Sequence, residues 1–158
     1  MQRPALAAAL CILATGPLHA LSCLPASLAR SYEQAADAEA SYVVVLGTVD
    51  MQAEAPERPV DNDAKDLALP GRLKGMTLSR RGFETPVSRD VTVLSACSGP
   101  WCGQFPVESS EAVMFVRLGE VGDWVLEMNA CPTWHFPEPN EADINALVQC
   151  HLDGGCAE

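Results

Sequence analysis

Six cysteines that follow an apolar N-terminal segment constrain this chain more than any other feature. They are Cys23, Cys97, Cys102, Cys131, Cys150 and Cys156. An even set of cysteines in an exported chain predicts disulfides, because oxidising compartments favour the paired form. Turn-forming residues between near neighbours favour Cys97 with Cys102 and Cys150 with Cys156, which leaves Cys23 for Cys131.

The apolar segment at the start has the layout of a secretory signal peptide. Arg3 precedes an apolar run over residues 4–18, and the small residue Ala20 follows it. The run is too short for a transmembrane helix, which needs about 20 residues. We expect a signal peptide over residues 1–20, a mature chain over residues 21–158 and a secreted or periplasmic location.

A lipid anchor is the alternative outcome of export. Cys23 would be acylated after cleavage behind Ala20, Leu21 and Ser22. However, the third position before the cysteine holds Ala20, where a bacterial lipobox normally has a branched residue, and acylation would leave one cysteine without a partner. We therefore rank the anchored form second.

Acidic residues outnumber basic ones. The chain has 21 Asp and Glu residues against 10 Lys and Arg, for a formal net charge of −11, and loss of Arg3 with the leader makes it −12. This charge repels nucleic acids and anionic membranes. We expect no nucleic-acid partner, no transmembrane segment and, from the chain length, one domain.

The hydrophobic pattern predicts a helix, five strands and a second helix. The first helix covers residues 25–38, and the second begins after the N-cap Asn140 and ends at Gly154. The strands are expected over residues 41–49, 72–79, 90–96, 111–118 and 123–129. Three prolines and many acids predict a mobile acidic loop over residues 51–70.

Five strands with little helix predict a small closed barrel. An open five-stranded sheet would leave unpaired edges, and a sandwich usually has about seven strands. The expected fold class is therefore mainly β: a five-stranded OB-like barrel with an N-terminal and a C-terminal helix, stapled by disulfides.

The order of these features resembles the netrin-like module, the OB-fold domain at the start of tissue inhibitors of metalloproteinases. The likeness begins with Cys23, a short helix and the aliphatic strand ASYVVVLGTV of residues 40–49, followed by a long variable loop. It continues with a strand ending at Cys97, a hairpin into Cys131, then Trp134 and the last helix. The resemblance covers nearly all of residues 21–158 and implies a single netrin-like OB-fold domain.

One departure from this family concerns the N-terminus. The family's inhibitors chelate a protease zinc with the amino group and carbonyl of an N-terminal cysteine in a Cys-x-Cys start. This chain has Leu21, Ser22 and Cys23 there, with one cysteine and residues ahead of it. Protease inhibition by this chemistry requires cleavage directly before Cys23.

The sequence contains no motif that indicates an enzyme, a cofactor or a metal site. Cys102 follows a tryptophan, as in thioredoxins, but Phe105 stands where the second cysteine would be. His135 and His151 fit no metal-ligand spacing with the cysteines. We expect a non-catalytic binding module without cofactor or metal, with a thiol-disulfide enzyme as a distant alternative.

Basic residues are concentrated in one stretch of the chain. This stretch holds Lys65, Arg72, Lys74, Arg80, Arg81 and Arg89. On a barrel, one strand and its turn would carry them to one side, where they would bind an anionic ligand or a protein. We predict Arg72, Lys74, Arg80, Arg81 and Arg89 as the binding residues. The alternative is that the stretch only neutralises the acids of residues 50–66.

Overall fold

The computed structural model of the protein describes residues 22–58 and 63–156. The predicted signal peptide, residues 1–20, lies outside the described residues. The elements are α1 (Leu28–Asp37), β1 (Tyr42–Met51), β2 (Leu67–Ser79), β3 (Gly82–Ser95), β4 (Cys97–Ser98), β5 (Trp101–Cys102), β6 (Ala112–Leu118), β7 (Trp124–Met128), β8 (His135–Pro137) and α2 (Glu141–Asp153).

Five strands form a closed barrel in the order β1, β2, β3, β7, β6, because β6 pairs with β1 as well as with β7. Neighbouring strands are antiparallel except β3 and β7, which are parallel. The closure is incomplete between β6 and β7, which pair only at Arg117 with Val125 and at Leu118 with Trp124. The predicted fold class is confirmed: a mainly β, five-stranded OB-like barrel with two helices and disulfides.

The β2–β3 hairpin is longer than the sequence pattern predicted. β2 begins at Leu67, so the last four residues of the predicted 51–70 loop belong to a strand. Pro70 pairs with Thr92, and its carbonyl accepts a hydrogen bond from the Gln52 N–H at 2.9 Å. β3 begins at Gly82 instead of residue 90. Its first half carries Pro86 and charged residues, so pairing with β2, and not periodicity, makes it a strand.

Apolar side chains fill two layers. The barrel interior contains Val45, Val49, Leu73, Val91, Val93, Ala112, Met114, Val116, Leu126 and Met128. A second cluster lies outside the wall, where Val113 and Phe115 of β6 meet Leu147 of α2 and apolar residues of α1. β6 is therefore buried on both faces. On β1, Val44 and Leu46 join the outer cluster, which also contains Leu28, Tyr32 and Ala35 of α1.

The helices have local stop and start signals. The Ser27 side chain caps α1, and Asn140 caps α2 by accepting a hydrogen bond from the Asp143 N–H at 2.9 Å. α2 ends at Gly154, whose φ of 75° suits glycine. The helix predicted from residue 25 begins at Leu28 because Ser27 supplies the cap.

β1 and β2 approach closely where Gly47 faces Gly75. A Cβ atom on Gly47 would lie 2.1 Å from the Lys74 carbonyl oxygen, and one on Gly75 would lie 2.3 Å from the Leu46 carbonyl oxygen. Only glycine fits at both positions, which permits this close approach of the two backbones.

Three disulfides cross-link the domain. Cys23 is bonded to Cys131, Cys97 to Cys102 and Cys150 to Cys156, the pairs that the spacing favoured. Disulfides at this density indicate an oxidising, non-cytoplasmic compartment. Among residues 22–58 and 63–156, no helix has the length and apolar character to span a bilayer.

Candidate functional site

A cleft of about 560 Å³ lies at one end of the barrel, between the loop after β1, strands β2 and β3, and the β6–β7 turn. We call it the loop cleft. Gln52 lines it from the start of the β1–β2 loop, Pro70 and Arg72 line it from β2, Arg89 from β3 and Trp124 from β7. The predicted binding loop and part of the predicted basic surface therefore share one cavity.

Ion pairs engage three of the five predicted binding residues. Arg72 contacts Asp90 at 2.8 Å, Lys74 contacts Asp50 at 2.7 Å, and Arg81 contacts Glu84 at 3.3 Å. The first pair follows from the strand register, which places Arg72 opposite Asp90. Such exposed pairs contribute at most about 1 kcal/mol each to stability. The Lys74–Asp50 pair agrees with the alternative interpretation, in which the basic stretch neutralises the acids of residues 50–66, whereas the other two pairs use acids of β3.

The five predicted residues do not form one patch. Arg80 follows β2 at its far end, eight residues beyond Arg72, or about 26 Å at roughly 3.3 Å per residue. Arg81 accompanies it at the hairpin turn, whereas Arg89 lines the loop cleft. Within the described chain, Arg80 and Arg89 have no ion pair shorter than 4.0 Å. Arg89 is thus the uncompensated cation of the cleft.

Arg58 attaches the β1–β2 loop to the barrel, a role that sequence reasoning missed. Its guanidinium donates to the Ser95 hydroxyl at 2.5 Å and lies 5.8 Å from the centre of the Phe105 ring. Ser95 is fully buried and donates to the Gly103 carbonyl at 2.6 Å. The sequence signal for this role was the position of Arg58, a basic residue in a mostly acidic segment.

A second cavity, of about 280 Å³, lies between β7 and β8, and we call it the apolar slot. Phe105, Val107 and Trp134 contribute apolar walls, while Glu127 and His135 contribute polar groups. The walls come from two stretches of chain, residues 102–110 and residues 127–137. The hydrophobic pattern of the sequence therefore contained no sign of the slot.

Burial gives His135 unusual acid–base behaviour. Desolvation in the slot wall lowers the pKa of its imidazole below the ordinary value, because the charged form loses its hydration. His135 is consequently neutral at neutral pH, and it adds no positive charge to the slot.

Acidification from pH 7 to pH 5 is expected to destabilise the fold, in part through His135. The unfolded chain takes up a proton near pH 6.5, whereas folded His135 resists protonation until the pH reaches its lowered pKa. The unfolded state then binds more protons, so stability falls as pH falls. His135→Gln should flatten this part of the curve in urea unfolding. Parallel curves for the two proteins would contradict the assignment.

The six cysteines in residues 22–58 and 63–156 are all in disulfides, and within the same ranges no cluster of three His, Cys, Asp or Glu side chains could hold a metal ion. What the two cavities offer is shape, charge and apolar surface. A non-catalytic role stays a prediction.

The comparisons with known proteins add no relative: no family model, no curated protein and no solved structure matches this chain. The fold and its cross-links define the class, a disulfide-bonded five-stranded β barrel with two packed helices. The netrin-like resemblance stays a prediction.

Proposed function

We propose that this protein is an exported, non-catalytic binding module that docks a partner protein on the loop cleft. The observation that carries the proposal is that Gln52, the first residue of the β1–β2 loop, lines the same cavity as Arg72 of β2 and Arg89 of β3. OB-type barrels commonly bind ligands on strands 2 and 3 and the loops beside them, and the cleft occupies that position.

The charges in the loop cleft favour a protein over a polyanion. Arg72 and Arg89 lie in the lining with Asp90 and Asp123, so cations and carboxylates are balanced. Trp124 adds a partly buried aromatic surface of the kind enriched at protein interfaces. An anionic glycan or lipid headgroup would depend on Arg89 alone, because Arg72 is paired with Asp90.

Arg89→Glu is expected to weaken partner binding about five- to tenfold, since it places a carboxylate where the partner meets an unpaired cation. The matched control is Arg80→Glu, an equally exposed and unpaired arginine at the far hairpin turn. The tagged protein is crosslinked in an extract of the exported proteins of its source cells. Mass spectrometry then measures how much partner each variant captures. Equal capture by the wild type and both variants would contradict the proposal.

A protease inhibitor related to tissue inhibitors of metalloproteinases is the second proposal. Cys23 is exposed, and its disulfide to Cys131 holds the N-terminal segment against the barrel. Sequencing the mature N-terminus tests this proposal, because any residue ahead of Cys23 removes the zinc-chelating group. Mass spectrometry of the same sample tests the lipid anchor, which would need the Cys23 sulfur that the disulfide uses.

A thiol-disulfide enzyme is the least supported proposal. Cys102 is bonded to Cys97, and the two close a short hairpin with Trp101 exposed at its turn. Insulin reduction that disappears in Cys102→Ser would support this activity, and we expect none.

A further inference from the structure

The apolar slot exists because β6 changes neighbours along its length. The last two residues of β6, Arg117 and Leu118, pair with β7, and these are the only β6–β7 pairs in the described chain. The first three residues, Ala112–Met114, pair with β8. Both partners lie on the side of β6 opposite β1. β7 and β8 therefore separate beyond the point where β7 leaves β6, and the slot lies between them.

The β8 edge facing the slot has backbone groups directed away from β6. The Trp134 carbonyl accepts from the Phe115 N–H at 2.8 Å, and the Glu138 N–H donates to the Glu111 carbonyl at 2.9 Å. Because backbone groups alternate along a strand, the N–H and C=O of His135 point to the other edge. In the part of the chain that the structure describes, no strand pairs with that edge.

The β7 edge is complementary. The Met128 carbonyl accepts from the Ala96 N–H at 2.9 Å, on the β3 side. By the same alternation, the N–H and C=O of Glu127 face the slot. Exposed strand edges with unpaired groups are sites where an extended peptide binds through main-chain hydrogen bonds.

The slot walls are apolar and held in place. Val107 is 74% exposed at the rim, with Phe105 and Trp134 deeper in the lining. Two disulfides stiffen the walls: Cys102 is itself in the lining, and Cys131 stands in the chain between two lining residues. A preformed apolar site loses little entropy when it binds a ligand.

Glu127 gives the slot lining an acidic group, although the Arg58 guanidinium lies 5.8 Å from the centre of the Phe105 ring at one wall. Glu127 is in the lining, and no lysine or arginine is. Three more acids, Glu108, Glu111 and Glu138, are sequence neighbours of lining residues. Burial raises the pKa of the Tyr42 phenol, the Glu127 carboxylate raises it further, and the Arg117 cation lowers it. Glu127 is thus close to Tyr42, whose ring stacks on Trp134 at 4.8 Å between centroids.

We propose that the apolar slot binds an extended segment of a partner protein in which an apolar residue is followed or preceded by Lys or Arg. The apolar side chain enters between Phe105 and Trp134, the cation pairs with Glu127, and the main chain bonds to the free edges of β7 and β8. The volume of about 280 Å³ accommodates the apolar side chain, and the rest of the segment lies along the open strand edges. This site is separate from the loop cleft.

Phage-displayed random dodecapeptides are the probe for this site. We expect selection on the wild-type protein to enrich peptides with Lys or Arg beside an apolar residue. A synthetic copy of an enriched peptide should shift the NMR signals of the Glu127 and His135 amides and leave those of Arg72 and Arg89 unchanged. Enrichment of acidic peptides, no enrichment, or shifts at the loop cleft would overturn the proposal.

Variants of exposed or partly exposed residues then test the chemistry without changing the core. Glu127→Gln should weaken binding of the synthetic peptide about fivefold, the value of a partly exposed ion pair. Val107→Lys should weaken it at least as much, because it removes an apolar contact and repels the cation. Glu120→Gln, on the exposed β6–β7 turn, is the matched control and should bind as the wild type does. Wild-type affinity in Glu127→Gln would overturn the pairing.

Discussion

Replacing Cys23 and Cys131 together with alanine is expected to lower the free energy of unfolding by about 4–5 kcal/mol. The two cysteines are 108 residues apart in the sequence, so their bond restricts most of the unfolded chain. The bond also joins the segment before α1 to the segment after β7. Guanidinium unfolding of the oxidised proteins measures the loss.

The Cys97–Cys102 disulfide provides the matched control. It links residues only five positions apart, and its removal by the double alanine variant is expected to cost about 2 kcal/mol in the same chain-entropy treatment. Equal losses from the two double variants would show that local strain or contacts, and not loop closure, determine what each bond contributes.

Phe115→Ala is expected to cost about 3–5 kcal/mol, the range for removal of a buried aromatic ring. Phe115 is fully buried on the outer face of β6, with its ring centroid 6.1 Å from those of Trp134 and Phe136. The cavity left behind would open between the barrel and the two helices. The urea unfolding midpoint measures the effect.

Val121→Ala is the control for this substitution. Val121 is 89% exposed on the β6–β7 turn, and its truncation should change stability by less than about 0.5 kcal/mol. A similar small effect in Phe115→Ala would mean that the helices do not pack on β6 as the structure shows.

The basic stretch shows how far sequence reasoning reached toward the site. The clustering of arginines and lysines was visible in the chain, and Arg72 and Arg89 do line one cavity. The pairing of Arg72 with Asp90 was not visible, because their opposition depends on the register of the β2–β3 hairpin. The same hairpin carries Arg80 away from the loop cleft.

Local features followed from the residues themselves. The hydrophobic pattern indicated all five barrel strands, although β2 and β3 extend beyond the predicted bounds. Asn140 and Gly154 marked the ends of α2, and turn-forming residues indicated the two short disulfide loops. These signals depend on residues that are close together in the sequence, where hydrophobic periodicity and backbone preference act.

The cavities depended on the tertiary structure, because each is formed by residues from distant parts of the chain. The apolar slot arises where β6 exchanges β7 for β8, and the three-residue β8 is too short to show a period. The hydrogen bond from Arg58 to Ser95 likewise depends on the tertiary structure, because barrel closure places the buried Ser95 hydroxyl beside the β1–β2 loop. The chain alone thus determined which segments become helix or strand, and strand register and barrel closure decided which side chains meet.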